Sequence, residues 1–336
     1  MQKLSDTRSD PVTALRRHTG IALLALASLG IAPQTFAQDY PTKPIRFVVP
    51  TPPGAGPDVD VRQMTPRLAQ ILGQQVTVEN RPGAAGRIAT EAVAKAAPDG
   101  YTFLVGTPSA IVSGPMLYKN LPYDAKKDLI PVSLISTTAY AITVNADVPA
   151  KTAAEYVALA RSNPRYSNAG TLGVGAATHL AGEWFSFLTG ANLKFIHYNT
   201  STPYADLMAG QISAIFEAVL PVLGSVKTGR LRVLAISGKS RYPQLPDVPT
   251  FAEAGFAQYD PLVWIGLLAP AGTPPAIVDK VSAAIAQVAK MPDIVALRRD
   301  AFSDSIGGTP AQYAAFLDAE REKWGRVVQQ ANVRIE

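Results

Sequence analysis

The sequence predicts an α/β fold of two domains with mainly parallel sheets, and three observations carry that prediction. Short β-branched runs alternate with apolar segments of 3.6-residue period along most of the chain. A strand, a glycine loop and a helix start follow one another twice, over 45–72 and 166–188, once in each half. Two apolar runs, 132–145 and 262–269, stand where the chain would cross between halves and return; the first is too long for one ordinary strand.

Composition narrows the class. The chain has 336 residues, 47% hydrophobic and 17% charged, enough for two cores and too apolar for disorder. The net charge is +5 and scattered, so no nucleic-acid partner is predicted. There is no cysteine, which removes disulfides and thiolate chemistry.

The N-terminus reads as an export signal. Lys3, Arg8, Arg16 and Arg17 precede a mostly apolar run over 21–31, followed by Pro33 and Thr35-Phe36-Ala37. That order predicts a signal peptide over 1–37, cleaved after Ala37, and a periplasmic protein. The apolar run is shorter than the roughly 20 residues that span a bilayer. No cysteine follows it, so a lipoprotein is not expected, and no second long apolar run exists.

The organising stretch is Pro50-Thr51-Pro52-Pro53-Gly54-Ala55-Gly56-Pro57-Asp58, between a strand over 45–49 and a helix with Val59, Met64, Leu68, Ile71 and Leu72 on one stripe. Asp58 is placed as its N-cap, with contact to a ligand amine as the alternative. Glycines allow close backbone approach, and the helix start favours an anion. The stretch is neither a P-loop nor a dinucleotide fingerprint, because Gly-Lys-Ser/Thr and the third glycine are missing. Pro66 is expected to kink the helix before it ends near Gly73.

A strand over 76–79, a glycine turn over 80–86 and a helix over 87–97 follow. Pro98-Asp99-Gly100 turns into a strand over 101–106 that ends in Thr107-Pro108-Ser109, hydroxyls at the carboxyl end where α/β sheets bind ligands. Residues 118–131 read as loop, and 132–145 as the crossing strand. Thr152 caps a helix to 162, and the glycine loop over 167–175 feeds a helix over 176–188. Strands over 193–198, 212–219 and 232–237 alternate with helices over 203–209 and 221–228. The proline-punctuated loop 241–249, the return strand 262–269 and helices over 275–288 and 309–330 close the chain. The domains are drawn as 38–139 with 264–336, and 140–263, hinged near 139–143 and 263–267.

In this order the motifs resemble the periplasmic receptors of tripartite tricarboxylate transporters, the Bug proteins. The matching stretches are Tyr40-Pro41-Thr42-Lys43-Pro44-Ile45-Arg46, 49–58, Val78-Glu79-Asn80-Arg81-Pro82-Gly83, Ala96-Ala97-Pro98-Asp99-Gly100-Tyr101-Thr102, Leu121-Pro122-Tyr123-Asp124, His179-Leu180-Ala181-Gly182-Glu183, Leu245-Pro246-Asp247-Val248-Pro249-Thr250 and 266–274. The resemblance implies a type II-like periplasmic-binding-protein fold, a ligand cleft between domains and two crossover strands as hinge. It implies a monomer that closes on a small carboxylate and delivers it to a membrane permease. In the family the carboxylate is held by amides and hydroxyls of the first loop and of the glycine loop before the His-Leu-Ala-Gly-Glu helix.

The sequence departs from that pattern. The family's first loop commonly reads Gly-Gly-Gly-Thr-Asp, and here Pro57 removes a hydroxyl and an N–H. The family's Asn-Gly-Ser-Thr-Ser is here Val174-Gly175-Ala176-Ala177-Thr178, and its common Asp is here Glu217. Each hydrogen bond lost to a charged group is worth roughly 1.5–3 kcal/mol, so a carboxylate with an apolar or aromatic body is expected.

The candidate ligand-binding residues are Pro53, Gly54, Ala55, Gly56 and Asp58; Thr107 and Ser109; Thr171, Gly173, Val174, Gly175, Ala176, Ala177 and Thr178; and Tyr198 and Glu217. His179, His197 and Trp264 are read as structural. No catalytic residue, metal ligand or cofactor is predicted, because no nucleophile elbow or His-Glu-x-x-His occurs. A sensor reporting ligand occupancy is the alternative function; an exported hydrolase is the other class, and no residue spacing supports it.

Overall fold

The computed structural model describes residues 40–198 and 203–331; the signal peptide over 1–37 lies outside the described residues. The first part alternates β1 (Ile45–Val49), α1 (Gly56–Leu72), β2 (Val76–Asn80), α2 (Arg87–Ala94) and β3 (Thr102–Gly106). A π-helical turn (Ser109–Ser113) and α3 (Gly114–Leu117) precede the long β4 (Leu129–Asn145). Then come α4 (Ala153–Ser162), β5 (Asn168–Thr171), α5 (Ala177–Thr189), β6 (Lys194–His197), α6 (Tyr204–Met208), β7 (Ala214–Ala218), α7 (Leu223–Lys227) and β8 (Leu231–Ile236). The chain closes with β9 (Leu262–Pro270), α8 (Pro275–Ala289), α9 (Pro292–Asp300), β10 (Ser303–Ser305) and α10 (Pro310–Gln330).

The strands form one sheet in the order β2-β1-β3-β9-β4-β7-β5-β6, with β8 and β10 also on β4. Strand β4 holds it together. Up to Ala139 it pairs with β9, and over Ser136 to Thr138 also with β10. From Tyr140 and Ala141 onward its neighbours are β7 and β8. A strand of 17 residues can serve two sets of partners in this way. The result is the expected two-domain α/β architecture, whose halves share one strand and form one compact unit from Pro41 onward.

Pairing is mixed. The outer pairs β1–β2, β1–β3, β5–β6 and β5–β7 are parallel, while β4 and β9 enter antiparallel. Parallel strands covered on both faces need apolar side chains on both, which explains the buried run Phe47-Val48-Val49 in β1 after the exposed Arg46.

Local chemistry sets the ends. Thr152 accepts the Glu155 N–H and starts α4 as expected. Gly73 ends α1 at φ 72°, a left-handed cap that favours glycine. Helix α1 runs through Pro66 to Leu72. Asp58 is not its N-cap: Ala55 is, and Asp58 reaches back from the first turn to the Gly54 N–H. Two segments to which the sequence pattern assigns no element, 109–117 and 292–305, are structured. The first segment is helical, and the second supplies α9 and the short β10.

Each half has its own apolar core. Val48, Leu104, Ile111, Leu268 and Leu317 belong to one; Ile142, Tyr156, Phe185, Phe216 and Phe251 to the other. Trp184 on α5 packs against both, meeting Trp324 of α10 edge-on at 5.8 Å and Tyr259 at 4.9 Å.

Candidate functional site

The carboxyl ends of β1, β3 and β5 deliver three loops to one cleft beside Tyr140, where β4 changes neighbours. Its main chamber, about 410 Å³, is lined by Pro50, Thr51 and Pro52, by the turn 82–86, by Thr107, Pro108 and Ser109, and by Tyr140, Ala177 and Val263. A second chamber of about 210 Å³ shares Ala85 and Ser109 and continues along Tyr118, Leu172, Val174, Gly175 and Ala176. A recess of about 10 Å³ joins both through Ser113, Pro108, Tyr140 and Ala177, and reaches Leu180, Leu262 and Trp324.

The turn over 82–86 is backbone under strain. Ala84 and Ala85 sit at φ 49° and 55°, between Gly83 at 125° and Gly86 at 89°. Non-glycine residues avoid that region, and such strain collects at ligand sites. At Gly86 a Cβ would stand 3.1 Å from Ala110 Cβ and 3.2 Å from Pro50 Cβ, so glycine lets the two loops close up. Gly86 then starts α2 without a side-chain cap, and Ala176 starts α5 in the same way. Uncapped first-turn amides carry the positive end of the helix dipole, and residues of both helix starts line the main chamber.

The Leu-Pro-Tyr-Asp motif supports the β3 loop. Tyr123 donates its hydroxyl to the Ala110 carbonyl at 2.9 Å, and Ile111 N–H bonds Thr107 O at 3.1 Å. These bonds hold the π-turn that presents Ser109. Thr107 and Ser109 line the chamber.

In the first loop the expectation shifts by a few residues. Pro50, Thr51 and Pro52 form the wall, whereas Pro53, Gly54, Ala55, Gly56 and Asp58 are not among its lining residues. Asp58, 2% exposed, accepts from Gly54 N, Arg62 Nε and Asn80 Nδ2, each at 2.8 Å. Burial alone would raise its pKa; the Gly54, Asn80 and Arg62 hydrogen bonds outweigh that and hold the carboxyl below the usual range. Asn80 also donates to Thr51 O at 3.0 Å. The Asp58–Asn80 pair therefore shapes the loop from behind.

The second loop divides similarly. Val174, Gly175 and Ala176 line the second chamber, and Ala177 the first. Thr178 is buried, and its hydroxyl accepts the Leu172 N–H at 2.9 Å. Gly175 N–H donates to His179 Nδ1 at 3.0 Å, which leaves His179 Nε2–H for Glu183 Oε1 at 3.3 Å. Thr171 is buried and shares a 2.8 Å hydrogen bond with His197 Nδ1. The His197 ring meets His179 at 4.7 Å; burial, then His179, holds its pKa below the ordinary imidazole value. Gly173, with φ 114°, is buried within the turn.

Tyr198 and Glu217 are not among the residues that line the cleft. Tyr198 donates to Asp206 Oδ2 at 2.5 Å; burial, then Asp206, pushes its pKa up to about 12. Glu217, 5% exposed, accepts from Tyr204 at 2.6 Å through Oε1, and its Oε2 has no partner among the described residues. Burial raises its pKa to about 7 against the lowering effect of Tyr204.

Sequence reasoning missed Pro82, Gly83, Ala85 and Gly86, and also Tyr140. The spacing Pro82-Gly83-x-x-Gly86 signalled a turn, but not that the turn meets the β3 loop. Tyr140 lay inside a long apolar run with nothing to mark where the strand changes neighbours. No helix among the described residues is long and apolar enough to cross a membrane.

Comparison with known proteins agrees with this architecture. The family model described as "Tripartite tricarboxylate transporter family receptor" matches residues 61–333. Protein BugT of Bordetella pertussis (strain Tohama I) is 33% identical over 312 residues, covering 92% of this chain and 96% of that protein. The solved structure of R. palustris Rpa4515 with adipate is 30% identical with a TM-score of 0.75, covering 88% of this chain and 99% of that one. MatC from Rhodopseudomonas palustris with bound malate is 28% identical with a TM-score of 0.71, covering 86% and 100%. With its two-domain sheet, its glycine-rich cleft and a match over most of its length, the chain belongs to the tripartite tricarboxylate transporter receptor family.

Proposed function

We propose that this chain is a periplasmic solute receptor that catalyses no reaction. It captures a small carboxylate with an apolar or aromatic body and delivers it to the membrane components of a tripartite tricarboxylate-type transporter. The observation that carries this reading is the convergence of the α2 and α5 starts, with the Ser109 turn, on one chamber lined by uncharged residues. Amides and a hydroxyl there can bind a carboxylate, while Pro108, Tyr140, Ala177 and Val263 offer apolar surface. Relatives whose structures hold adipate and malate support a carboxylate as the ligand class.

The domains in this reading are 38–139 with 264–336, and 140–263. The change of neighbours on β4 between Ala139 and Ala141 supports a hinge there. Ligand that contacts both domains favours the closed form by its differential affinity, and a permease can read that form from a monomeric receptor.

A thermal-shift screen of residues 38–336 tests the function. The panel holds mono-, di- and tricarboxylates, aliphatic and aromatic, with sugars and amino acids as controls. Stabilisation that grows as a carboxylate passes its dissociation constant is expected. Silence across all carboxylates, in folded protein free of carried-over ligand, overturns the reading.

A further inference from the structure

The recess at the back of the cleft has a chemistry of its own. Its walls are Pro108, Leu180, Leu262 and the Trp324 indole. The indole's polar atom is not available to a ligand: Trp324 Nε1–H donates to Glu320 Oε2 at 2.9 Å, beside the Trp264 Nε1–H bond to the same oxygen at 3.0 Å. Of its other lining residues, only Ser113 and Tyr140 carry a polar side-chain group.

Charge is absent too. None of the residues lining the recess or either chamber is Asp, Glu, His, Lys or Arg. The titratable groups acting on Tyr140 are Glu217 and Tyr204, both acids, so neither supplies a counter-charge to an anion. Arg87 is stacked 4.3 Å over Tyr118, a wall of the second chamber and not of the recess. A carboxylate pushed into the recess would shed water and gain at most two neutral hydroxyls, an unfavourable exchange. A methyl group or a ring edge meets the opposite situation: about 10 Å³ is room for one such group against carbon walls.

We propose that the ligand is a monoanion whose uncharged apolar end occupies the recess under Tyr140 and Trp324, and that Ala177 and Leu262 set how far this end can extend. The proposal rests on the carboxylate-receptor reading and adds to it the number of charges, the direction in which the ligand lies and the residues that sort its length. Ala177 lines both the main chamber and the recess, so it stands at the passage between them. Leu262, half-buried at the start of β9, is a wall of the recess alone.

The test is titration calorimetry of the chain over 38–336 with propionate, hexanoate, octanoate and adipate. Hexanoate and adipate have equal carbon counts and differ by one terminal carboxylate. The expected result is hexanoate binding about tenfold or more tighter than adipate, from desolvation of the second charge. Ala177→Leu, at a half-buried first helical position, is expected to lower the hexanoate-to-propionate affinity ratio about tenfold by narrowing the passage. Leu262→Ala is expected to raise the octanoate-to-hexanoate ratio several-fold, as about two more methylenes find space. Adipate binding as tightly as hexanoate, or ratios unmoved in both folded variants, overturns the recess proposal while leaving a carboxylate receptor standing. No binding by any carboxylate, here and in the wider screen, overturns the receptor reading and the recess with it.

Discussion

Tyr204 donates its hydroxyl to Glu217 Oε1 at 2.6 Å, and this is the hydrogen bond that the buried carboxyl makes among the described residues. The residues stand on α6 and β7. With no cation at hand, burial dominates and raises the Glu217 pKa to about 7.

The folded chain therefore holds a proton on Glu217 that an unfolded glutamate releases near 4.5. Below that value the stabilising contribution is fully present, and it is lost as pH rises through about 7. The difference amounts to about 3 kcal/mol at most. Urea denaturation at pH 5 and pH 8 should show the wild type more stable at pH 5 by an amount of that order. Glu217→Gln, neutral at both values, should remove that part of the difference; an unchanged pH dependence would mean that another group carries it.

Glu320 ties two tryptophans together. Its Oε2 accepts from Trp264 and Trp324, and Lys323 pairs with Oε1. Glu320→Leu leaves two buried indole N–H groups without an acceptor, at a cost of about 2–4 kcal/mol. Glu320→Gln keeps a carbonyl acceptor and should recover part of the loss. Equal stability of all three proteins in urea would rule out this role.

Asp58 shapes the first loop through Gly54, Arg62 and Asn80. Asp58→Ala should destabilise the chain by about 2–3 kcal/mol and weaken ligand binding as the wall of Pro50, Thr51 and Pro52 loosens. Asp58→Asn should be milder in both respects. Denaturation and titration on the same samples separate the two effects.

Gly175 lines the second chamber with φ 73°, a conformation that aspartate tolerates better than most residues. Gly175→Asp should therefore fold while placing a negative charge beside the proposed carboxylate site. A dissociation constant raised about tenfold or more is expected, and more so at low salt, because screening weakens repulsion between charges. Unchanged affinity in a folded variant would remove this loop from the site.

Much of the fold was legible before any coordinates. The β-branched run of β1, the Gly73 stop, the Thr152 cap and the glycine loop ahead of α5 each follow from local preferences. Local preference also misplaced things. Asp58 looked like an N-cap, but Pro57 stands at the second helical position and moves the start to Gly56, with Asp58 inside the first turn. The helical segment 109–117 carries no clear apolar period, and its Pro115 sits where proline is well suited, in a first helical turn.

The alternation of strands and helices, the two glycine-rich helix starts and the long strand that joins the halves can all be read along the chain. These depend on hydrophobic period and on residues whose backbone preferences act within a few positions. Which loops share a wall follows only from the folded arrangement. Asn80 and Asp58 meet across 22 positions, Gly86 closes on Pro50 and Ala110, and Tyr140 faces the cleft because β4 exchanges its neighbours beside it. The reason is physical: such contacts join residues far apart in the chain, and their geometry is set by strand order and register, which no local preference encodes.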